Sequence, residues 1–238
     1  MLTKNQIKLV RSLEQKKNRK REGLFVAEGP KVVEDLLRGG YHSYAIYSTQ
    51  PRPDAQLITD EELHKISFLQ HPQEVLAIFE MPPSSLPTHQ SSLSIALDGI
   101  QDPGNLGTII RIADWFGIST IYCSEDTADV YNPKVVQATM GSLAHINIIY
   151  TDLVELIGKA SCPVYGTLLD GEDIYQQKLT QEGIIVMGNE GNGISEKIRP
   201  LITHRLLIPN FNKNKETAES LNVAVATAIT CSEFRRRG

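Results

Sequence analysis

The chain is poor in cysteine, in tryptophan and in long apolar runs, and these shortages narrow what it can be. Three cysteines occur in 238 residues, Cys123, Cys162 and Cys231. They are far apart, odd in number and in no C-x-x-C spacing, which argues against a disulfide framework or a thiolate zinc site and fits a reducing compartment. No apolar run approaches the roughly 18–20 residues needed to cross a bilayer, so no membrane association is expected. The first residues lack the apolar core of a signal peptide, and a cytoplasmic protein is expected. G-x-S-x-G, Walker and H-E-x-x-H motifs are absent and the six histidines are scattered. No metal centre is therefore expected. The single tryptophan, Trp115, and its neighbour Phe116 lie in an apolar stretch and are expected to pack in a core.

What is present describes a folding chain. Apolar residues make up 41% and charged residues 22%, enough to bury a core. At roughly 100–200 residues per domain the length suits one large domain or two small ones. The net charge of −4 is unevenly spread. Residues 1–22 carry eight basic side chains (Lys4, Lys8, Arg11, Lys16, Lys17, Arg19, Lys20, Arg21) against Glu14 and Glu22, a local +6 that leaves −10 for the rest. A basic arm on an acidic body attracts polyanions such as nucleic acid. A solubilising, frayed terminus has the same composition.

Ile7, Val10 and Leu13 recur at helical spacing after Thr3 or Asn5 as N-cap, which places Lys4, Lys8 and Arg11 on one face. Strands are expected at 23–28, 44–47 and 75–79, with a short helix over 32–37 and a polar one near 60–69. This alternation suits a small α/β domain over residues 1–80. Residues 81–92, rich in Pro, Ser and Thr, read as a linker. A second domain, 93–238, has apolar strands expected at 94–97, 120–123, 145–149, 164–167, 183–187 and 205–208. Near-continuous apolar strands separated by helices indicate a parallel sheet.

In such a sheet, ligands bind beyond the carboxyl ends of strands. Three loops there are unusual. Residues 97–108 hold three glycines and a proline and feed an expected helix over 109–116, with Arg111 one turn in; an anion site and an ordinary turn capped by Asp98 or Asn105 both fit. The second, Gly188-Asn189-Glu190-Gly191-Asn192-Gly193, lets a ligand approach the backbone but lacks G-x-G-x-x-G spacing, which counts against a Rossmann-type oxidoreductase. The third leads from Ile208-Pro209 to Ser220-Leu221-Asn222 at the start of a small-residue helix. Ser220 suits an N-cap there, which leaves Asn222 unexplained.

At these loops the sequence resembles the SpoU (TrmH-type) family of RNA ribose 2′-O-methyltransferases, of the SPOUT class. Asn105, Gly107, Arg111, Ala113, Phe116 and Gly117 look like its first motif, Gly188 to Gly193 its second, and Ile208-Pro209 with Ser220 to Val223 its third. The stretch from Pro209 to Ser220 is longer than the family's pattern. Phe25 to Pro30 is similar to the N-terminal RNA-recognition domain of many members. The resemblance implies an α/β fold with a deep trefoil knot, an exception to unknotted topology, and a homodimer. It implies S-adenosylmethionine as cofactor, held by Gly188, Ile208, Leu221, Thr167 and Leu168. Arg111, Asn105, Glu190, Ser220 and Asn222 are the implied catalytic set. The implied substrate is structured RNA, with ribosomal RNA expected ahead of tRNA. A non-catalytic RNA-binding or assembly protein of the same fold is the alternative, though a pure binder has no need of all five polar residues together.

Overall fold

The computed structural model describes residues 1–82, 92–212 and 219–236. The chain forms two compact units, Met1–Ser84 with Asp129–His145, and Ser85–Ala128 with Ile146–Gly238. Most of the expected 81–92 linker lies outside the described residues.

The first unit opens with α1 (Lys4–Ser12) and α2 (Lys16–Glu22), followed by β1 (Leu24–Glu28), α3 (Pro30–Arg38), β2 (Ser43–Ser48), β3 (Gln56–Leu57), α4 (Asp60–Ile66) and β4 (Val75–Glu80). Its sheet runs β1-β4-β2-β3, antiparallel except for the β2–β3 pair. Of the two candidate caps, Thr3 is the one used. Its hydroxyl accepts from the Gln6 N–H while the Gln6 side chain accepts from the Thr3 N–H, a reciprocal capping box. Val10 and Leu13 are buried with Leu63 and Ile66 of α4, so the basic segment is a packed part of the core rather than a frayed arm. Arg19 is itself buried, at 1% exposure. Its guanidinium donates to the Asp129 carboxylate and to the carbonyls of Leu13 and Glu14 at 2.8 and 2.7 Å. That charge is spent on folding and is not offered to a polyanion.

The second unit continues with β5 (Leu93–Asp98), α5 (Pro103–Trp115) and β6 (Thr120–Cys123). The chain then supplies α6 (Pro133–Thr139) to the first unit before β7 (Asn147–Tyr150), α7 (Leu153–Gly158), β8 (Val164–Asp173), β9 (Gly183–Gly188), β10 (His204–Leu207) and α8 (Val223–Arg236). Residues 129–145, read from sequence as part of the second domain, pack instead on β1, where Tyr131 and Phe25 have ring centroids 4.7 Å apart. The cause is tertiary: Asp129 is the partner of buried Arg19.

All five strand pairings of the second sheet are parallel, in the order β10-β8-β9-β5-β6-β7. The central strand β5 is buried at every position, as expected where both faces of a sheet are covered. Two expectations about the helix after β5 need correction. It begins at Pro103 rather than Ile109, because Pro suits the first helical position and Asp102 caps it, accepting the Asn105 N–H at 2.8 Å. Asn105 and Gly107 are thus helical, and Arg111 stands two turns in. Trp115 is 85% exposed rather than packed in a core, since the buried stripe of α5 runs through Leu106, Ile109, Ile110 and Ala113.

Strand β8 outruns its expected end. Its Tyr165 and Gly166 pair with His204 and Arg205, and the next pairs are Glu172 and Asp173 with Leu206 and Leu207. Residues 167–171 bulge from the ladder between them. Gly171 allows this, because a Cβ there would lie 2.6 Å from the Leu206 carbonyl carbon.

Candidate active site

The three unusual loops meet within the second unit, beyond β5, beyond β9 and before α8. The Glu190 carboxylate accepts from the backbone N–H of Gln101 and Asp102 at 3.3 and 3.2 Å, and from Nδ2 of Asn105 at 3.0 Å. Asn105 Oδ1 in turn accepts from Nδ2 of Asn222 at 2.9 Å. Asn222 Oδ1 accepts from the N–H groups of Ala224 and Val225 at 2.9 and 3.3 Å. These contacts set every amide orientation. The Asn222 oxygen must face two helix donors, so its NH₂ faces Asn105, and the Asn105 NH₂ is left for a carboxylate that can only accept. The network is a directed chain from the start of α8 to Glu190.

Asn222, unexplained by an apolar helical run, is the N-cap that precedes that run; the expected cap Ser220 lies two residues earlier and does not serve. Partial burial by itself would raise the Glu190 carboxyl, but the hydrogen bonds from Asn105 and from backbone N–H groups outweigh it and hold the group below its ordinary range.

The β9 loop is internally braced. Asn189 Oδ1 accepts from Gly191 and Asn192 N–H at 2.9 and 3.0 Å, and its Nδ2 donates to the Gly99 carbonyl at 2.6 Å. Asn189 and Gly193 also exchange two backbone bonds of 2.9 Å. Buried Asp98, at the end of β5, accepts the Ser195 N–H at 2.7 Å. Asp98, a candidate helix cap in sequence, instead braces the loop at Ser195, and Asn189, within the second motif, is a positioning residue whose role the motif does not name. An Asn followed two residues on by Gly is a turn signal that could have marked Asn189. The glycine at 188 answers first to the fold: a Cβ there would sit 2.2 Å from the Gly193 carbonyl carbon and the Ile194 nitrogen.

Against this frame lies a cavity of about 470 Å³, within the range of small-molecule sites. All five expected cofactor residues line it: Gly188, Ile208, Leu221, Thr167 and Leu168. The β8 bulge brings Thr167 and Leu168 there. Glu190 and Ser220 also line it, whereas Asn105 and Asn222 stand behind Glu190 in the hydrogen-bond chain. Arg111 is exposed on α5, and no hydrogen bond or ion pair engages it among the described residues. The chemistry of the lining suits S-adenosylmethionine. Leu168, Ile208, Leu221 and Val223 offer apolar surface for an adenine, the glycine loop offers backbone groups, and carboxylates face the cavity for a cation. Part of the long stretch between Pro209 and Ser220, residues 213–218, lies outside the described residues. Among the described residues no cluster of three or more His, Cys, Asp or Glu is placed to hold a metal ion, and no helix is long and apolar enough to cross a membrane.

Comparison with known proteins shows the family of the chain. The model of the SpoU rRNA Methylase family matches residues 92–232, which include every residue of the network and the cavity. The MRM3-like substrate binding domain matches residues 4–77. The 23S rRNA (guanosine(2553)-2′-O)-methyltransferase RlmP of Bacillus subtilis is 32% identical over 98% of this chain and 97% of its own length. Among solved structures, one of the TrmH family from Porphyromonas gingivalis is 41% identical with a TM-score of 0.89, covering 100% of both chains. An AdoMet-bound rRNA methyltransferase from Sinorhizobium meliloti is 32% identical with a TM-score of 0.87, covering 99% of this chain and 96% of that one.

Proposed function

The chain belongs to the SpoU rRNA methylase family, and on that premise we propose that it methylates a ribose 2′-hydroxyl of ribosomal RNA with S-adenosylmethionine. The observation that carries this reading is the Glu190–Asn105–Asn222 chain standing directly behind a cavity lined by all five expected cofactor residues. When bound, S-adenosylmethionine would supply a sulfonium-borne methyl group for the ribose oxygen. The chain's own work is to align oxygen, carbon and sulfur. Leu168, Ile208 and Leu221 hold the apolar part, with the braced 188–193 loop beside them. Glu190 stays ionised and keeps α5 registered against the loop through Gln101, Asp102 and Asn105.

Arg111 is free to meet RNA. A guanidinium keeps its proton in proteins, so Arg111 holds a phosphate and stabilises the developing alkoxide, and the proton leaves to a phosphate oxygen or water. Ser220, at the cavity wall, orients the ribose. The first unit recognises the RNA, with Lys4 and Lys8 exposed on α1 for phosphate contacts. Arg11 is partly committed, donating to the Ser67 carbonyl at 2.7 Å and lying over the Phe68 ring. The enzyme works in the cytoplasm as a homodimer with the knotted C-terminal domain of its family; light scattering is expected to give twice the chain mass of 26.4 kDa.

The test is methyl transfer from labelled S-adenosylmethionine to bulk ribosomal RNA and to tRNA. Label in the ribosomal pool, at the 2′-oxygen, is the expected result. Label in tRNA alone would reverse the substrate assignment, and cofactor binding without label in either pool would favour a non-catalytic RNA-binding protein.

A further inference from the structure

Four charged side chains line the cavity among the described residues: Asp170, Glu190, Glu219 and Arg199. Glu190 is occupied by the hydrogen bonds that brace α5. S-adenosylmethionine carries an ammonium, a sulfonium and a carboxylate. Its two cations have carboxylates to meet, but its carboxylate has one cation among the described lining residues. We infer that Arg199 is the residue that recognises the carboxylate of the cofactor's amino-acid end, with Asp170 holding it ready at the cavity wall. The inference rests on reading the cavity as the S-adenosylmethionine site.

The local geometry suits an exchange of partners. Arg199 begins the short turn Arg199–Leu201 and donates through Nη2 to Oδ2 of Asp170, which sits on the β8 bulge. Its Nε and Nη1 donors have no acceptor among the described residues, so part of the five-donor fork is available to a carboxylate. Asp170 also accepts from Nη1 of Arg205 at 3.3 Å. Turning Arg199 toward a bound carboxylate therefore leaves Asp170 paired. Both side chains of the Asp170–Arg199 pair are partly exposed, at 50% and 38%, so the pair is weakly held and readily rearranged.

The experiment is calorimetric binding of S-adenosylmethionine and its decarboxylated analogue to the full chain, wild type against Arg199→Ala and Arg199→Lys. Wild type is expected to prefer the carboxylated ligand about tenfold or more, as for a hydrogen bond to a charged group. Arg199→Ala is expected to bind both ligands alike, at the wild-type affinity for the analogue, and Arg199→Lys to keep part of the preference. An undiminished preference in Arg199→Ala, or none in wild type, overturns the assignment alone. Wild type binding neither ligand overturns the cofactor reading and this assignment with it.

Discussion

Asn222 and Asn105, 117 positions apart in sequence, are joined by a 2.9 Å hydrogen bond from the Asn222 NH₂ to the Asn105 oxygen. The same Asn222 caps α8, so the start of the last helix and the first turn of α5 are held in one register. An aspartate at 222 separates the two tasks, because it caps a helix as well as asparagine does but has no donor for Asn105. Asn222→Asp is expected to melt close to wild type while kcat falls on the order of 10²-fold, as for a small misplacement of reacting groups. Thermal melts and single-turnover methyl transfer check this; a variant with full activity would show that the Asn222–Asn105 bond is dispensable.

Arg111 touches neither the hydrogen-bond chain nor the cavity. Arg111→Ala is therefore expected to lose roughly 10²–10³ in turnover, the scale for removing one donor to a developing oxyanion. Its affinity for S-adenosylmethionine should stay near wild type. A large loss of cofactor binding in calorimetry would refute the assignment.

Glu190 accepts three donors with two oxygens, and its carboxyl is held below the ordinary value of 4.5. A lowered native value means that the carboxylate adds stability above the unfolded pKa and loses it as pH falls through the native one. Glu190→Gln turns an NH₂ toward one of the N–H donors and is expected to be less stable than wild type. The deficit should be constant from neutral pH to about 5 and shrink below it. Urea denaturation across that range is the measurement, and a deficit that grows on acidification would contradict the sign.

Arg19 and Asp129 make a nearly dry ion pair, at 1% and 13% exposure. Removing one partner of such a pair costs about 3–5 kcal/mol, because the other charge and here two carbonyls are left buried. Arg19→Ala is expected to destabilise the first unit by that amount, with little effect on cofactor affinity. Chemical denaturation followed in parallel with cofactor calorimetry reads both, and a loss under about 1 kcal/mol would mean that water repairs the site.

Much of this protein is legible residue by residue. The runs at 121–123 and 183–187 are legible as strands because a strand buried on both faces needs near-continuous apolar residues, a local requirement. The cap of α1 is partly legible: the sequence offers Thr3 and Asn5 alike, and the reciprocal bonds with Gln6 select Thr3. The residue types of the site are also in the sequence: an arginine, two asparagines, a glutamate and a glycine-rich turn in or next to the loops that follow apolar strands. Local pattern misleads where distant partners intervene. The glycines at 104 and 107 suggest a loop, although Pro103 and Asp102 start a helix before them. Trp115 looks like core until the buried stripe of α5 is known, and residues 129–145 look like part of the second domain until Arg19 claims Asp129.

By itself the sequence determined which strands of the second sheet are apolar enough to be buried and which chemical groups the site contains. Only the tertiary structure decided that Asn222 faces Asn105, that the β8 bulge puts Thr167 and Leu168 into the cavity, and that Arg199 is the cation among the described residues that lines it. The physical reason is that strand burial follows from the run of apolar residues within the strand, whereas a hydrogen bond or a cavity wall depends on distances of a few ångströms between groups far apart along the chain.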